Sequence, residues 1–89
     1  MNHIMNGIAM TILKSEIGRP AKVYMPIRGD MHTVIGIIVD STERGLYLKD
    51  YIFEDQYTAE TFGDADFFLW AEIYSVVVPG GSIHIGGGF

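Results

Sequence analysis

The side chains of this chain that could contact phosphates are cations, and all of them lie in its first half. Residues 1–49 carry six Lys/Arg and four acids, whereas residues 50–89 carry seven acids and no Lys/Arg, for a net charge of −5. Nucleic-acid binding draws most of its affinity from cations that contact phosphates. Any such surface must therefore come from the first half. The cations of the first half are Lys14, Arg19, Lys22, Arg28, Arg44 and Lys49.

The sequence offers little for metal or catalytic chemistry. The chain contains no cysteine, which excludes disulfides and thiolate metal sites. His3, His32 and His84 have no short ligand spacing between them, and the acids from Glu54 to Asp66 lack the regularity of a calcium loop. No serine or threonine lies beside a histidine in a recognisable nucleophile motif. We therefore predict no enzyme, no cofactor and no metal site, and we expect residues 54–66 to be a solvated acidic loop.

One amphipathic helix is expected at the start of the chain. Residues 3–17 place apolar side chains at helical spacing, which forms one stripe along a helix. Gly18 is suited to end the helix and Pro20 prevents its continuation.

The rest of the chain has the pattern of short strands. We expect strands at 21–27, 32–39, 45–54, 67–70 and 76–78, with Gly36 permitting a sharp bend in the second. Gly45 is expected to permit an unusual backbone angle at the exit of a hairpin turn that begins at Asp40. The predicted fold is mainly β, with an N-terminal α-helix followed by a strongly bent five-stranded antiparallel sheet. We assign residues 1–79 to a single domain and residues 80–89 to a glycine-rich tail, in which Ile83 and Ile85 offer a sixth short strand.

The stretch from Gly36 to Asp50, GIIVDSTERGLYLKD, resembles the first motif of the Sm-like family. The matching positions are the glycine of a bent strand, the aspartate before the turn and the arm after it: Gly36, Asp40, Leu46, Leu48 and Asp50. The spacing between them is altered. The second family motif, an Arg/Lys-Gly pair between the last two strands, is replaced by Trp70-Ala71-Glu72. The resemblance implies a small open barrel that assembles into a homo-oligomeric ring of about five to seven subunits.

The resemblance also implies where RNA and neighbouring subunits would bind. Sm-like rings hold a base of single-stranded RNA with turn residues of the first motif, which places Asp40, Arg44 and Gly45 at the candidate site. Arg44 is the first candidate there, with Lys49 and Arg28 as secondary phosphate contacts. The alternative is that this turn is only a hairpin loop in which Asp40 bonds its own backbone. The family pairs its fourth strand with a neighbour's fifth, so the predicted interface is Phe67, Phe68, Leu69, Trp70, Val76, Val77 and Val78.

The second half is also rich in aromatic residues, which we interpret as core and interface because seven carboxylates there would repel phosphate. These residues are Tyr51, Phe53, Tyr57, Phe62, Phe67, Phe68, Trp70 and Tyr74. A hydrophobic fraction of 48% in 89 residues also favours burial of apolar surface against further copies of the chain.

Three functions remain open from the sequence. The first is an Sm-like ring-forming, RNA-associated scaffold with a weak or altered RNA site. The second is an assembly module without RNA binding, and the third is a small ligand- or metal-binding β-barrel. No signal peptide and no apolar run of eighteen residues is present, so the expected location is cytoplasmic, without a membrane partner.

Overall fold

The computed structural model describes residues 3–54 and 63–88, with side chains from residue 7 onwards. Within these ranges one α-helix and one 3₁₀ turn accompany six strands. In chain order these are α1 (His3–Lys14), β1 (Pro20–Ile27), β2 (Asp30–Ser41), β3 (Gly45–Phe53), β4 (Asp66–Leu69), the 3₁₀ turn (Trp70–Glu72), β5 (Ser75–Val78) and β6 (Gly81–His84). The central part of the predicted acidic loop, together with Tyr57 and Phe62, lies outside the described residues.

The helix ends earlier than its apolar pattern predicts. The Ser15 N–H and the Ser15 hydroxyl both donate to the carbonyl of Ile12, at 3.3 and 2.7 Å, so the chain tightens into a turn after Lys14. Gly18 then adopts a left-handed φ of +88°, a conformation that a glycine adopts without steric cost. Helix α1 packs against β2 and β3 and buries Ala9 and Leu13 completely. The turn after it brings the chain into β1 at Pro20.

The strands form one antiparallel sheet that is not closed, in the order β4-β3-β2-β1-β5-β6. The prediction of five strands is therefore corrected to six. The added strand, β6, pairs with β5 from Ser75 opposite His84 to Val78 opposite Gly81. Because β5 also pairs with β1, both of its edges are occupied within the chain. The predicted pairing of β5 with a neighbouring subunit would need an edge that β6 already fills.

Gly36 lies where β3 approaches β2 closely. The register between β2 and β3 shifts between Ile35 and Ile37. A Cβ atom at position 36 would lie 2.7 Å from the Cβ of Tyr51, so only glycine fits between the strands. On the opposing strand, Asp50 adopts a φ of +48°, as expected where an extra residue is accommodated in a bulge.

The hydrophobic core draws on the helix, the sheet and the predicted tail. Its buried residues include Leu13 from α1, Val23 from β1 and Leu48 from β3, together with Ile85 directly after β6. The N–H groups of Gly86, Gly87 and Gly88 donate to carbonyls of residues 71–74 at 2.6 to 2.8 Å. Residues 81–88 are thus packed and hydrogen-bonded against the domain, because burial of Ile85 and pairing with β5 hold them there.

Candidate nucleic-acid interface

The β2–β3 turn is organised by Thr42. Its N–H donates to the Gly45 carbonyl at 2.9 Å, and its hydroxyl oxygen accepts from the N–H groups of Arg44 and Gly45, both at 3.2 Å. A threonine hydroxyl satisfies turn N–H groups in this way when the strands leave them without partners. The turn therefore presents Glu43 and Arg44 at its tip, and both are exposed.

Gly45 serves close packing rather than an unusual backbone angle, which corrects the sequence-based expectation. Its φ is not positive, and a Cβ atom at this position would overlap the carbonyl oxygen of Phe68 on β4. The indole N–H of Trp70, just after β4, donates to the carbonyl of Thr42 at 2.8 Å. The start of β3 is thus held tightly against β4 and the residue that follows it.

A groove of about 530 Å³ opens beside this turn, between the end of α1 and the outer face of β3 and β4. The helix contributes Met10 and Lys14, and the turn contributes residues 41–44. Tyr47 and Phe67 form the aromatic part of the lining. Strand alternation explains why they are available, since Leu46, Leu48 and Phe68 point into the core while their neighbours point outward.

The two aromatic rings of the groove contact each other. The Tyr47 and Phe67 ring centroids are 4.8 Å apart, with an angle of 43° between the ring planes. Phe67 remains 39% exposed, so part of its ring is available to a ligand. An exposed aromatic face beside cations is the combination on which bases of single-stranded nucleic acids stack.

Positive and negative groups nearly balance around the groove. Lys14 Nζ lies 3.4 Å from Asp40 Oδ1, and both side chains are about half exposed. The same Asp40 oxygen accepts from the Ser41 N–H at 2.8 Å, the backbone contact expected if Asp40 only shapes the turn. Arg44 forms no ion pair with any residue of 3–54 or 63–88, which leaves it as the available cation, with Glu43 as its acidic neighbour.

The structure brings together part of the predicted RNA site. Asp40, Arg44 and Gly45 meet at the turn, as their sequence proximity requires. Lys49 is exposed on β3 but is not among the groove residues. Arg28 lies in the β1–β2 turn, at the opposite end of β2, where it and Gly29 adopt φ values of +52° and +86°. Such angles are typical of a tight two-residue hairpin turn.

The predicted interface residues divide into two groups. Phe68, Trp70, Val76 and Val78 are buried in the core of the chain itself, so their side chains are not available to a neighbour. Phe67, Leu69 and Val77 are 39%, 43% and 38% exposed. Only these three remain candidates for side-chain contacts with another subunit.

Seven groove residues were missing from the sequence-based RNA site: Met10, Lys14, Ser41, Thr42, Glu43, Tyr47 and Phe67. Lys14 is separated from Asp40 by 26 residues, and only the packing of α1 brings them together. The outward orientation of Tyr47 could have been predicted from the sequence, because Tyr47 lies between Leu46 and Leu48, the inward-facing apolar residues of an alternating strand.

Other candidate chemistry receives no support from the described residues. In the part of the chain that the structure describes, no three His, Asp or Glu side chains form a metal-binding group. His84 instead packs edge-on against Tyr74, with ring centroids 4.7 Å apart. Among the residues with described structure, no helix has the length and apolar character needed to cross a membrane.

Comparisons with protein-family models, with curated proteins and with solved structures found no match to this chain.

Proposed function

We propose that the protein is an Sm-like, RNA-associated scaffold that binds single-stranded RNA weakly in the groove beside the β2–β3 turn and assembles into a homo-oligomeric ring. The observation that carries this proposal is the arrangement of Arg44 and Lys14 around the exposed ring of Phe67 and its partner Tyr47. A base stacks on the aromatic pair while the cations contact its flanking phosphates.

Affinity in this groove is expected to be modest. Lys14 is already paired with Asp40, and Glu43 lies beside Arg44, so one subunit offers little net positive potential. A ring repeats Arg44 once in every subunit, which adds phosphate contacts along one RNA strand. We therefore expect binding of oligouridylate with a Kd no tighter than about micromolar near 0.15 M salt, and a steep loss of affinity as salt rises.

Two features support the Sm-like assignment. An N-terminal helix precedes antiparallel strands, and the register between the second and third strands shifts at Gly36, which agrees with the architecture that the sequence motif implies. Trp70, which begins the segment in place of the second motif, also contacts the turn of the first motif, because its indole N–H donates to the Thr42 carbonyl. The position where the family has an arginine therefore supports the turn from the core here.

Assembly is supported by the edges of the sheet. Within the described ranges, β4 and β6 are its terminal strands, and each has one edge without a strand partner. Edge-to-edge pairing around a closed ring satisfies the backbone groups of both. Phe67 and Leu69 give the β4 edge exposed apolar side chains that such contacts would cover. A ring in this chain would thus join β4 to β6, in place of the predicted pairing with β5.

A second candidate function is an assembly module without RNA binding. The contact that favours it is the pairing of Asp40 with both Lys14 and the Ser41 N–H, which consumes one of the two groove cations. In this case the turn only shapes the subunit, and the edges of the sheet carry the function.

The test of RNA binding is a fluorescence-anisotropy titration of labelled oligouridylate at low and physiological salt. Arg44→Ala should weaken binding at least several-fold. Arg28→Ala is the matched control, because it removes the same charge from an exposed turn at the other end of β2. Phe67→Ala should weaken binding by about tenfold or more, since stacking contributes about 1–3 kcal/mol per base. Equal losses from Arg44→Ala and Arg28→Ala would reject the groove as the site.

Assembly is tested separately by light scattering at micromolar concentration. The ring predicts a defined mass of several subunits, and a mass of 9.9 kDa would reject it. An oligomer that binds no oligouridylate even at low salt would favour the assembly module over the RNA-associated scaffold.

A further inference from the structure

A second cavity, of about 330 Å³, lies between the end of α1 and the β5–β6 hairpin. Ile12, Ser15 and Glu16 form one wall, and residues 78 and 80–83 form the other. It is separate from the groove beside the β2–β3 turn, since the two share no lining residue. Its walls combine apolar side chains with a single carboxylate, that of Glu16.

Glu16 is unusual because its carboxylate is buried and incompletely paired. The residue is 7% exposed, and its Oε2 atom accepts no hydrogen bond from the described part of the chain. Arg19 Nη1 forms an ion pair with this oxygen at 3.6 Å, a distance too long for a hydrogen bond, and the Arg19 side chain is 61% exposed. A buried carboxylate normally has hydrogen-bond donors around it. Oε2 is out of contact with solvent and faces Arg19, so Oε1, which lies beside Gly80 in the cavity wall, is the acceptor left for an incoming cation.

The β5–β6 turn leaves space for this carboxylate. A Cβ atom at Gly80 would lie 2.7 Å from Glu16 Oε1, so the absence of a side chain at position 80 allows the carboxylate its place in the wall. Glu16 therefore belongs to the cavity through the packing of two distant segments.

We propose that this cavity binds an organic monocation with a short aliphatic stem, the chemistry of an arginine or lysine side chain. The guanidinium or ammonium group pairs with Glu16, and the stem packs on Ile12, Val78 and Ile83. A single carboxylate with two serine hydroxyls, Ser15 and Ser82, provides too few oxygen ligands for a metal ion. A guanidinium, in contrast, is matched to one carboxylate and can form two parallel hydrogen bonds with it.

The sequence limits where such a side chain can come from. Residues 50–89 contain no Lys or Arg, so the β4 edge of another copy cannot supply it. The occupant is therefore a small free cation or a side chain of a partner polypeptide, which includes the six Lys/Arg in residues 1–49 of another copy.

The test is an NMR titration of the ¹⁵N-labelled protein with n-butylguanidinium, followed at the backbone amides of the cavity walls. Neutral n-butylurea, which has nearly the same shape, is the matched probe. We expect saturable shifts at Gly81 and Ser82 with the guanidinium, and affinity at least about tenfold weaker for the urea, because the charge-assisted hydrogen bonds are lost. Equal affinities for the two probes, or no saturable shift at tens of millimolar guanidinium, would overturn the proposal.

Protein variants then assign the binding to Glu16. Glu16→Gln should weaken guanidinium binding by about tenfold or more. Glu72→Gln, which removes an exposed carboxylate from the 3₁₀ turn, should leave it unchanged. Arg19→Ala should strengthen binding, because it removes the competing internal cation. Unchanged binding in Glu16→Gln would reject the site. If this variant unfolds, the comparison of the two probes remains decisive, because it uses the unmodified protein.

The source of the occupant is resolved by a blocked pentapeptide, Gly-Gly-Arg-Gly-Gly, and its citrulline analogue. Tighter binding of the arginine peptide than of n-butylguanidinium indicates a partner polypeptide, whereas weaker binding indicates a small free cation. Weaker binding of the citrulline peptide than of the arginine peptide supports the requirement for a positive charge in both cases. Equal binding of the two peptides would contradict that requirement.

Discussion

The stability of this protein at high pH should depend on Tyr51. This residue is buried on β3, and its hydroxyl donates to Asp66 Oδ2 on β4. Burial, then the hydrogen bond to Asp66 and its negative charge, raise the pKa of Tyr51 from 10.0 to about 12. The folded state therefore holds the phenolic proton more tightly than the unfolded chain. This contribution to stability is complete below about pH 10 and is lost as the pH rises through about 12.

The magnitude follows from the two pKa values. Its upper limit is about 2.7 kcal/mol, and about half of it, 1.4 kcal/mol, should be lost by about pH 11. Tyr51→Phe removes both this titration and the hydrogen bond to Asp66. Since Asp66 is exposed and regains water, we expect the variant to be less stable by about 1 kcal/mol at about pH 8. The free energies of unfolding of wild type and Tyr51→Phe should then be equal at about pH 11, above which Tyr51→Phe is the more stable protein.

The assay is urea unfolding at a series of pH values from about 8 to about 12, all at one subunit concentration. Unfolding is followed by the fluorescence of the single tryptophan, the buried Trp70. Other titrating groups are common to both proteins and cancel in the difference. Asp66→Asn serves as a second comparison and should keep part of the pH dependence, because burial, the largest cause of the raised pKa, remains when the charge of Asp66 is removed. Parallel loss of stability in wild type and Tyr51→Phe would refute the reasoning.

Three further substitutions test the packing around the turn and the sheet. Gly45→Ala should lower the free energy of unfolding by about 1–3 kcal/mol in urea, because its Cβ overlaps the Phe68 carbonyl. Ser41→Ala should be neutral or stabilising by up to about 1 kcal/mol in thermal melting. Its buried hydroxyl has no partner among the described residues, so a clear loss of stability would contradict this account. Val77→Lys should preserve the circular dichroism spectrum, because the side chain is partly exposed, and should leave the mass in light scattering unchanged, because the proposed contact joins β4 to β6; a lower mass would place Val77 in the interface.

The elements with strong local patterns could be predicted from the sequence. The helix, β1, β2 and β3 are each defined by apolar periodicity bounded by glycine or proline, and the structure places them within a few residues of the prediction. The strand β6 was only an open possibility, because residues 79–88 are rich in glycine, which is unfavourable in strands. Its formation depends on pairing with β5 and on burial of Ile85, which are tertiary effects.

The candidate site likewise combines a part that the local sequence predicts with a part that only tertiary packing creates. The turn and Arg44 were predictable because a hairpin is a local structure, whereas the groove was not. Lys14 reaches it only through the packing of α1, and Phe67 only through the pairing of β4 with β3. Gly45 shows the limit most clearly, since the sequence suggested backbone freedom and the actual constraint is the carbonyl of Phe68, which lies on another strand.

The sixth strand changes what assembly requires. The terminal strands β4 and β6 each have four residues, and neither contains Lys, Arg or Pro, the residues that commonly protect an open edge. Because the two edges differ, pairing β4 with β6 is heterologous, and such contacts either close into a ring or continue as a filament. A single defined mass that does not grow with protein concentration would indicate a closed ring. A mass that rises steadily with concentration would indicate that the β4–β6 contact sets an angle between subunits that produces an open filament.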